Sequence, residues 1–330
     1  MLSNFGYIRV GSLAEAVKRL GEQGSRLHAG GTDLLSCLRD EVFDAETLVS
    51  ISGLQGLRRI RETADGGLAI GAMVTITRVA SDPLVRERYP GLAQAASEVA
   101  SPQLRNQGTI GGNLCQKPRC WYYRGAFHCL RKGGDTCFAF AGENRFHCIL
   151  GGDRCYIVHP SDTAPALVAL EASVRIKGPK GGRSVPVEAF HVQPSQDPRR
   201  DTVLEPNEIV TEVVLPPPPE GLVGSYRKVR ARRSWDFALA GVALALVFDG
   251  DRVSRARIVL SGAAPVPWRS REAEEAVTGK RIDAEVAARS GEAAMENAQP
   301  LDQNGYKIPL FQGVIEEELM AALHRSSARS

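Results

Sequence analysis

Six of the chain's seven cysteines fall between positions 115 and 155: Cys115, Cys120, Cys129, Cys137, Cys148 and Cys155. Thiolates are ligands for soft metals and for iron–sulfur clusters. Seven basic residues share the stretch, Lys117, Arg119, Arg124, Arg131, Lys132, Arg145 and Arg154, against only Asp135, Glu143 and Asp153. Such an excess of cations offsets the negative charge of a thiolate-bound iron–sulfur core. Four cysteines complete either a 4Fe–4S cluster or a zinc site. From Cys120 to Cys155 successive cysteines are separated by eight, seven, ten and six residues. Zinc sites use closely spaced cysteine pairs instead, so a wide loop around a bulky cluster fits better. His128, His147 and His159 are further candidate ligands, although each fits better as a surface or hydrogen-bonding histidine. Trp121-Tyr122-Tyr123 can shield a cluster, meet a partner or join the core.

Two glycine turns supply a second kind of chemistry. Ala29-Gly30-Gly31-Thr32-Asp33-Leu34 and Thr109-Ile110-Gly111-Gly112-Asn113 each place successive free N–H groups beside a helix start. Such turns cradle anions. Two of them suit a pyrophosphate bridged between subdomains, although either alone is also an ordinary tight turn. Neither is a G-x-G-x-x-G dinucleotide fingerprint, and no P-loop occurs.

The elements that carry these turns are legible from periodicity and caps. Ser12-x-x-Glu15 opens a helix to about Glu22. Strands at Ser25–His28 and Thr47–Ile51, with a helix through Leu38 between them, make a small β-α-β unit. Leu57 to Thr77 reads as strand with a hairpin turn at Asp65-Gly66-Gly67. A helix spans Tyr89 to Ala100 and another Thr163 to Leu170. Strands follow at 173–176, 184–187 and 209–215, and Pro216–Pro219 reads as a stiff linker. Ala238–Phe248 and Val253–Leu260 form a long hairpin, and helices follow at 271–277, 284–294 and 313–323.

The totals exclude several classes. A length of 330 residues predicts two or three domains. A net charge of +3 is too mild for nucleic-acid binding. No apolar run is long enough to span a membrane. Met1-Leu2-Ser3-Asn4-Phe5 lacks secretory-signal features, which leads us to expect a cytoplasmic protein, exported only if a partner subunit carries the signal. Clustered cysteines in a reducing compartment point to metal ligands rather than disulfides.

Ala29–Leu34, Thr109–Asn113, His159-Pro160-Ser161-Asp162 and Tyr226-Arg227-Lys228, in that order, resemble the FAD-binding medium subunit of the xanthine dehydrogenase family of molybdenum hydroxylases. The resemblance implies an α+β fold. Its N-terminal region would have two FAD-binding subdomains, of the PCMH or carbon monoxide dehydrogenase flavoprotein type, at 1–55 and 56–220. An α+β domain like the carbon monoxide dehydrogenase flavoprotein C-terminal domain would occupy 221–330. It implies FAD contacts from Ala29, Gly30, Gly31, Thr32, Asp33 and Leu34 in the first loop and from Thr109, Gly111, Gly112 and Asn113 in the second. Ser161 and Asp162 would bind FAD through their side chains, and Lys228 would lie near the flavin. Arg230, Arg232 and Arg233 read as a solvated or subunit-facing edge.

The insert at about 115–155 is similar to that of 4-hydroxybenzoyl-CoA reductase and of certain bacterial aldehyde dehydrogenases, where it holds an extra 4Fe–4S cluster. By the aldehyde-type pattern its ligands are Cys120, Cys129, Cys137 and Cys155. By the reductase-type pattern Cys148 replaces Cys129. Cys115 would pack near the flavin, and Cys37 reads as a small buried hydrophobe. The resemblance implies an electron-transfer subunit without catalytic residues of its own. A molybdenum-cofactor large subunit, a 2Fe–2S small subunit and an external carrier (ferredoxin, NAD or another) would be its partners. Competing readings are a stand-alone flavin and iron–sulfur or zinc redox sensor, and a self-sufficient flavin oxidase.

Overall fold

The computed structural model describes residues 2, 4–232 and 235–327. Its first unit is a three-stranded parallel sheet. The elements run β1 (Gly6–Arg9), α1 (Leu13–Leu20), β2 (Ser25–His28), α2 (Leu34–Arg39) and β3 (Thr47–Ser50), with β3 between β1 and β2. Val49 pairs with Ile8 on one side and Leu27 on the other. Ser12 Oγ caps α1 by accepting from Glu15 N–H at 3.1 Å. The helix stops at Leu20, two residues before the sequence expectation, where the Gly21 N–H turns back to Lys18 and Arg19. β1 was not foreseen, because its residues are mostly exposed and show no apolar alternation.

The second sheet is antiparallel. Its strands are β4 (Ile60–Glu62), β5 (Leu68–Gly71), β6 (Ser173–Gly178), β7 (Gly181–Pro186) and β8 (Ile209–Leu215), in the order β4-β5-β8-β6-β7. Between β5 and β6 run α3 (Ile76–Ser81), α4 (Pro83–Arg88), α5 (Pro90–Ser97), α6 (Pro102–Gln107), α7 (Ile110–Leu114), α8 (Trp121–Arg124) and α9 (Thr163–Ala169). The strand expected to reach Thr77 ends at Gly71. Thr75 Oγ1 accepts from Arg78 N–H at 3.3 Å and starts α3 instead. α4 and α6 begin at Asp82-Pro83 and Ser101-Pro102. In each the cap side chain accepts a backbone N–H and proline takes the first helical position.

The third sheet, β12-β11-β10-β9, is buried on both faces. Its strands are β9 (Leu222–Val229), β10 (Ala240–Asp249), β11 (Arg252–Ser261) and β12 (Trp268–Arg269). Val242, Leu244 and Leu246 point to one face. They pack with residues of α10 (Arg271–Val277), α11 (Ala284–Met295) and α12 (Lys307–Ser327). Tyr226, Ala243 and Ala245 point to the other, against Leu92, Ala95 and Leu167 of α5 and α9. Burial on both faces explains why β10 reads as an unbroken apolar run. Gly91 lets α5 come close: a Cβ there would stand 3.0 Å from Ser225 N. Pro216–Pro219 therefore joins two sheets that share one core rather than spacing two bodies apart, and Tyr89 Oη donates to Pro216 O at 2.7 Å. No helix among the described residues is long and apolar enough to cross a membrane.

Candidate functional site

The two glycine turns meet. Gly30 lies so close to the backbone before the second turn that a Cβ would stand 2.0 Å from Gln107 O. Gly31 adopts φ +74°, a left-handed conformation that glycine takes without strain. Among the described residues, the N–H groups of Gly30, Gly31, Thr32 and Asp33 donate to no protein acceptor. In the second turn, Thr109 caps α7 by accepting from Gly112 N–H at 3.2 Å. Gly111 sits on Ala72, whose Cβ would be 2.8 Å from an added Cβ. The open N–H groups of the first turn form an anion nest, whereas in the second turn Ile110, Gly111, Gly112 and Asn113 donate to Val74 O, Ala72 O, Thr109 Oγ1 and Thr109 O, so the free N–H groups expected there are already used.

Two open clefts flank this nest and share Thr32, Asp33, Thr109 and Gly112 in their walls. One, of about 1750 Å³, is lined by Leu27, Ala29, Leu34, Phe43 and Ile51 with the cations Arg26, Lys117, Lys132 and Arg199. The other, of about 1380 Å³, is lined by Val99, Leu104, Asn113, Asp162, Arg232, Trp235 and Phe237. A ligand with an anionic waist and a ring at each end matches this shape. Trp235 and Phe237, exposed on the β9–β10 connection, were not singled out from the sequence. Their signal was an aromatic pair flanking Asp236 in a charged loop. Arg230 pairs with Glu98 at 2.6 Å, and Arg232 faces the second cleft. Arg233 lies outside the described residues.

Asp33 faces away from the nest. Its Oδ1 accepts from Arg119 at 2.6 Å and Arg124 at 2.8 Å, and its Oδ2 accepts from the Lys117 N–H at 2.7 Å. Burial alone would raise this carboxyl. The Arg119 guanidinium, the Lys117 N–H and Arg124 outweigh burial and hold it below the usual range. Asp201 binds Lys117 and Arg131, each at 2.5 Å. Two aspartates thus pin the cysteine insert to the walls of the first cleft.

Behind the second cleft lies a buried polar layer. Asn113 Oδ1 accepts from Ser161 Oγ at 2.5 Å and Thr163 Oγ1 at 2.6 Å. Asp162 accepts from Tyr226 Oη and Lys228 Nζ, both at 2.8 Å. Lys228 also donates to Glu98 O at 3.2 Å, and its side chain is 1% exposed. Burial pushes the Asp162 carboxyl up, against the pull of the Lys228 ammonium. The expectation was that Ser161 and Asp162 hydrogen-bond a ligand and that Lys228 lies near the flavin. Here Ser161 bonds Asn113, Asp162 and Lys228 pair with each other, Lys228 lines neither cleft, and of this layer Asp162 and Asn113 reach the second cleft wall.

Cys120, Cys129, Cys137 and Cys155 line one small cavity, with Tyr122, Tyr123, Arg131 and His147. Cys148 is buried outside it, its Sγ 2.8 Å from where a Cβ on Gly152 would lie. Cys115 lines the first cleft, and burial pushes its thiol up to about 12. Cys37 is fully buried on α2. All seven cysteines are free. A hydrogen bond from Cys137, aided by Arg131, pulls the Cys155 thiol below its ordinary range. Among the described residues no three His, Cys, Asp or Glu side chains converge closely enough for a single metal ion. A polynuclear cluster spreads its thiolates far wider. His147 Nε2 is 3.3 Å from Cys120 Sγ, and burial lowers its pKa to about 4. His128 is exposed and His159 is buried elsewhere. Tyr122 packs on Phe127 and Phe138, and Trp121 on Phe146, making an aromatic shell.

A cavity of about 780 Å³ joins the thiol cavity to the second cleft. It shares Cys120, His147 and Ile157 with the former and Arg119, Pro160, Asp236 and Phe237 with the latter.

Comparison with known proteins matches this layout. The profile of the FAD binding domain in molybdopterin dehydrogenase covers residues 3–218. That of the carbon monoxide dehydrogenase flavoprotein C-terminal domain covers residues 225–309. The chain is 37% identical to the FAD-binding subunit of an Escherichia coli (strain K12) aldehyde oxidoreductase, over 96% of this chain and 98% of the relative. It is 31% identical to the carbon monoxide dehydrogenase medium chain of Hydrogenophaga pseudoflava, over 97% and 98%. A solved structure of carbon monoxide dehydrogenase from that organism, lacking the Mo-pyranopterin moiety, superposes with a TM-score of 0.77 at 29% identity. The match covers 98% of this chain and 99% of that one. Quinoline 2-oxidoreductase from Pseudomonas putida 86 gives a TM-score of 0.78 at 25% identity, over 99% of each chain.

Proposed function

This chain belongs to the family of FAD-binding subunits of xanthine dehydrogenase and carbon monoxide dehydrogenase type oxidoreductases, and from that premise we propose that it is an electron-transfer subunit holding both FAD and a 4Fe–4S cluster. When bound, the flavin exchanges one or two electrons and the cluster one, so together they connect two-electron and one-electron carriers. The observation that carries the reading is the common cavity of Cys120, Cys129, Cys137 and Cys155, linked to the second cleft through Cys120 and His147.

The chain's own residues bind, orient and shield. The first glycine turn would hold the pyrophosphate through its open backbone N–H groups, with Ala29, Leu34 and Thr32 beside them and the second turn packed against it. Arg26, Lys117 and Lys132 add positive charge along the first cleft. Asp162 and Asn113 form the wall of the second cleft, and Lys228 places a cation behind it. Asp33 and Asp201 hold the insert in register with the nest. We assign FAD-binding subdomains to 1–55 and 56–220, the cluster insert to about 115–155 and the C-terminal domain to 221–330. The partners are a molybdenum-cofactor large subunit, a 2Fe–2S small subunit and an external carrier such as ferredoxin or NAD.

Absorption spectra and metal analysis of the chain purified with its partners test this. One flavin and four irons per chain are expected from this subunit. Absence of a flavin band sinks the cofactor assignment, and one zinc without iron replaces the cluster.

A further inference from the structure

One imidazole lines the thiol cavity. The His147 ring sits with Nε2 3.3 Å from Cys120 Sγ. The ring is 4% exposed, and its Nδ1 is buried without a partner. A neutral imidazole carries one donor and one acceptor nitrogen. A thiolate only accepts, so the N–H belongs on Nε2. The ring has little freedom to turn. Its backbone N–H donates to Asn144 O at 2.9 Å, and its carbonyl accepts from Asn304 Nδ2 at 3.1 Å. Trp121 stands edge-on to the ring at 5.9 Å, and Tyr122 is tilted against it at 6.4 Å.

We propose that His147 is a positioning residue of the cluster site, whose Nε2–H donates to the Cys120 thiolate and raises the reduction potential of the cluster. The inference rests on the iron–sulfur reading given above. Reduction adds negative charge that spreads onto the cluster's sulfurs, so a donor to one of them binds the reduced state more strongly. Neighbours of metal ligands tune the metal in this way. The bond lies on a chosen side. Cys120 and His147 are the polar groups that the thiol cavity shares with the cavity leading to the second cleft. His147 therefore acts on the cluster edge that faces the flavin-binding side.

The test is a redox titration of the complete complex, followed by electron paramagnetic resonance of the 4Fe–4S signal, for wild type, His147→Phe and His147→Gln. Flavin and iron content are measured on each sample. Both variants are expected to keep four irons and the flavin. The midpoint of His147→Phe moves to more negative potential, and His147→Gln, which retains an N–H, falls between it and wild type. An unchanged midpoint in His147→Phe with iron intact overturns the proposal. Iron loss in both variants with flavin retained also overturns it, because His147 is then a ligand or an assembly wall. Wild type without iron removes the cluster reading itself, a result distinct from either.

Discussion

The Asp33 carboxylate in the first glycine turn holds the half-buried Arg124 guanidinium of the cysteine insert at 2.8 Å. The first glycine turn and the cysteine insert are therefore one mechanical unit. Asp33→Ala leaves Arg119 without a carboxylate and Arg124 with Asp40 at 3.8 Å as its remaining one. Breaking such an enclosed pair costs about 3 kcal/mol. The expected result is a lower melting temperature with joint loss of flavin and iron. A variant that loses neither separates the two sites.

The cysteine assignment gives a sharper pattern. Cys120→Ser, Cys129→Ser, Cys137→Ser and Cys155→Ser each lose the four irons, whereas Cys148→Ser and Cys115→Ser keep them. Iron analysis of the six proteins decides it. Iron loss in Cys148→Ser with retention in Cys129→Ser transfers the ligand role to Cys148.

Gly30→Ala puts a methyl 2.0 Å from Gln107 O, a clash that only backbone movement relieves. FAD affinity falls by about tenfold or more, about 1.4 kcal/mol, as read by fluorescence titration. Gly56→Ala meets nothing within 4 Å and leaves both affinity and stability unchanged.

Lys228→Met leaves Asp162 buried with Tyr226 as its remaining side-chain donor. The expected cost is about 3–5 kcal/mol. Lys228→Met with Asp162→Asn recovers most of it, because no uncompensated charge remains. Urea denaturation of the single and double variants measures the difference.

The His191 and His159 rings lie tilted against each other with centroids 4.1 Å apart inside the protein. Burial lowers His191 to about 4 and His159 well below 6.5. The unfolded chain therefore binds more protons than the folded one as pH falls below about 6.5. The stabilisation is complete above that pH and is lost progressively towards pH 4. His191 alone accounts for a loss on the order of 3 kcal/mol over that window. Melting temperature should fall between pH 7 and pH 5, and His191→Gln should flatten the fall. A wild-type melting temperature independent of pH across this range contradicts the account.

Much of the layout was legible because it depends on short-range chemistry. Ser12 and Glu15 announce a helix start, and Gly30 and Gly31 announce close backbone approach. The alternation of Val253–Leu260 announces a strand. The failures have equally local causes. Ile76 and Thr77 continued an apolar pattern, yet the Thr75 cap turned them into helix. Pro216–Pro219 looked like a spacer because proline stiffness says nothing of what the flanking strands bury.

The sequence by itself determined the inventory: two glycine turns, an insert rich in thiols and cations, and the order of motifs that marks the family. It did not determine which groups meet. Four of six cysteines share a cavity because α8 and the loops after it fold back under Arg131 and His147. Asp33 turns from ligand to clamp because two arginines more than 80 positions later are drawn to its charge. Lys228 withdraws behind the cleft because Asp162, buried beside it, needs a counter-charge. Each of these depends on the path of the whole chain, since burial and Coulomb attraction act between neighbours in space rather than in sequence.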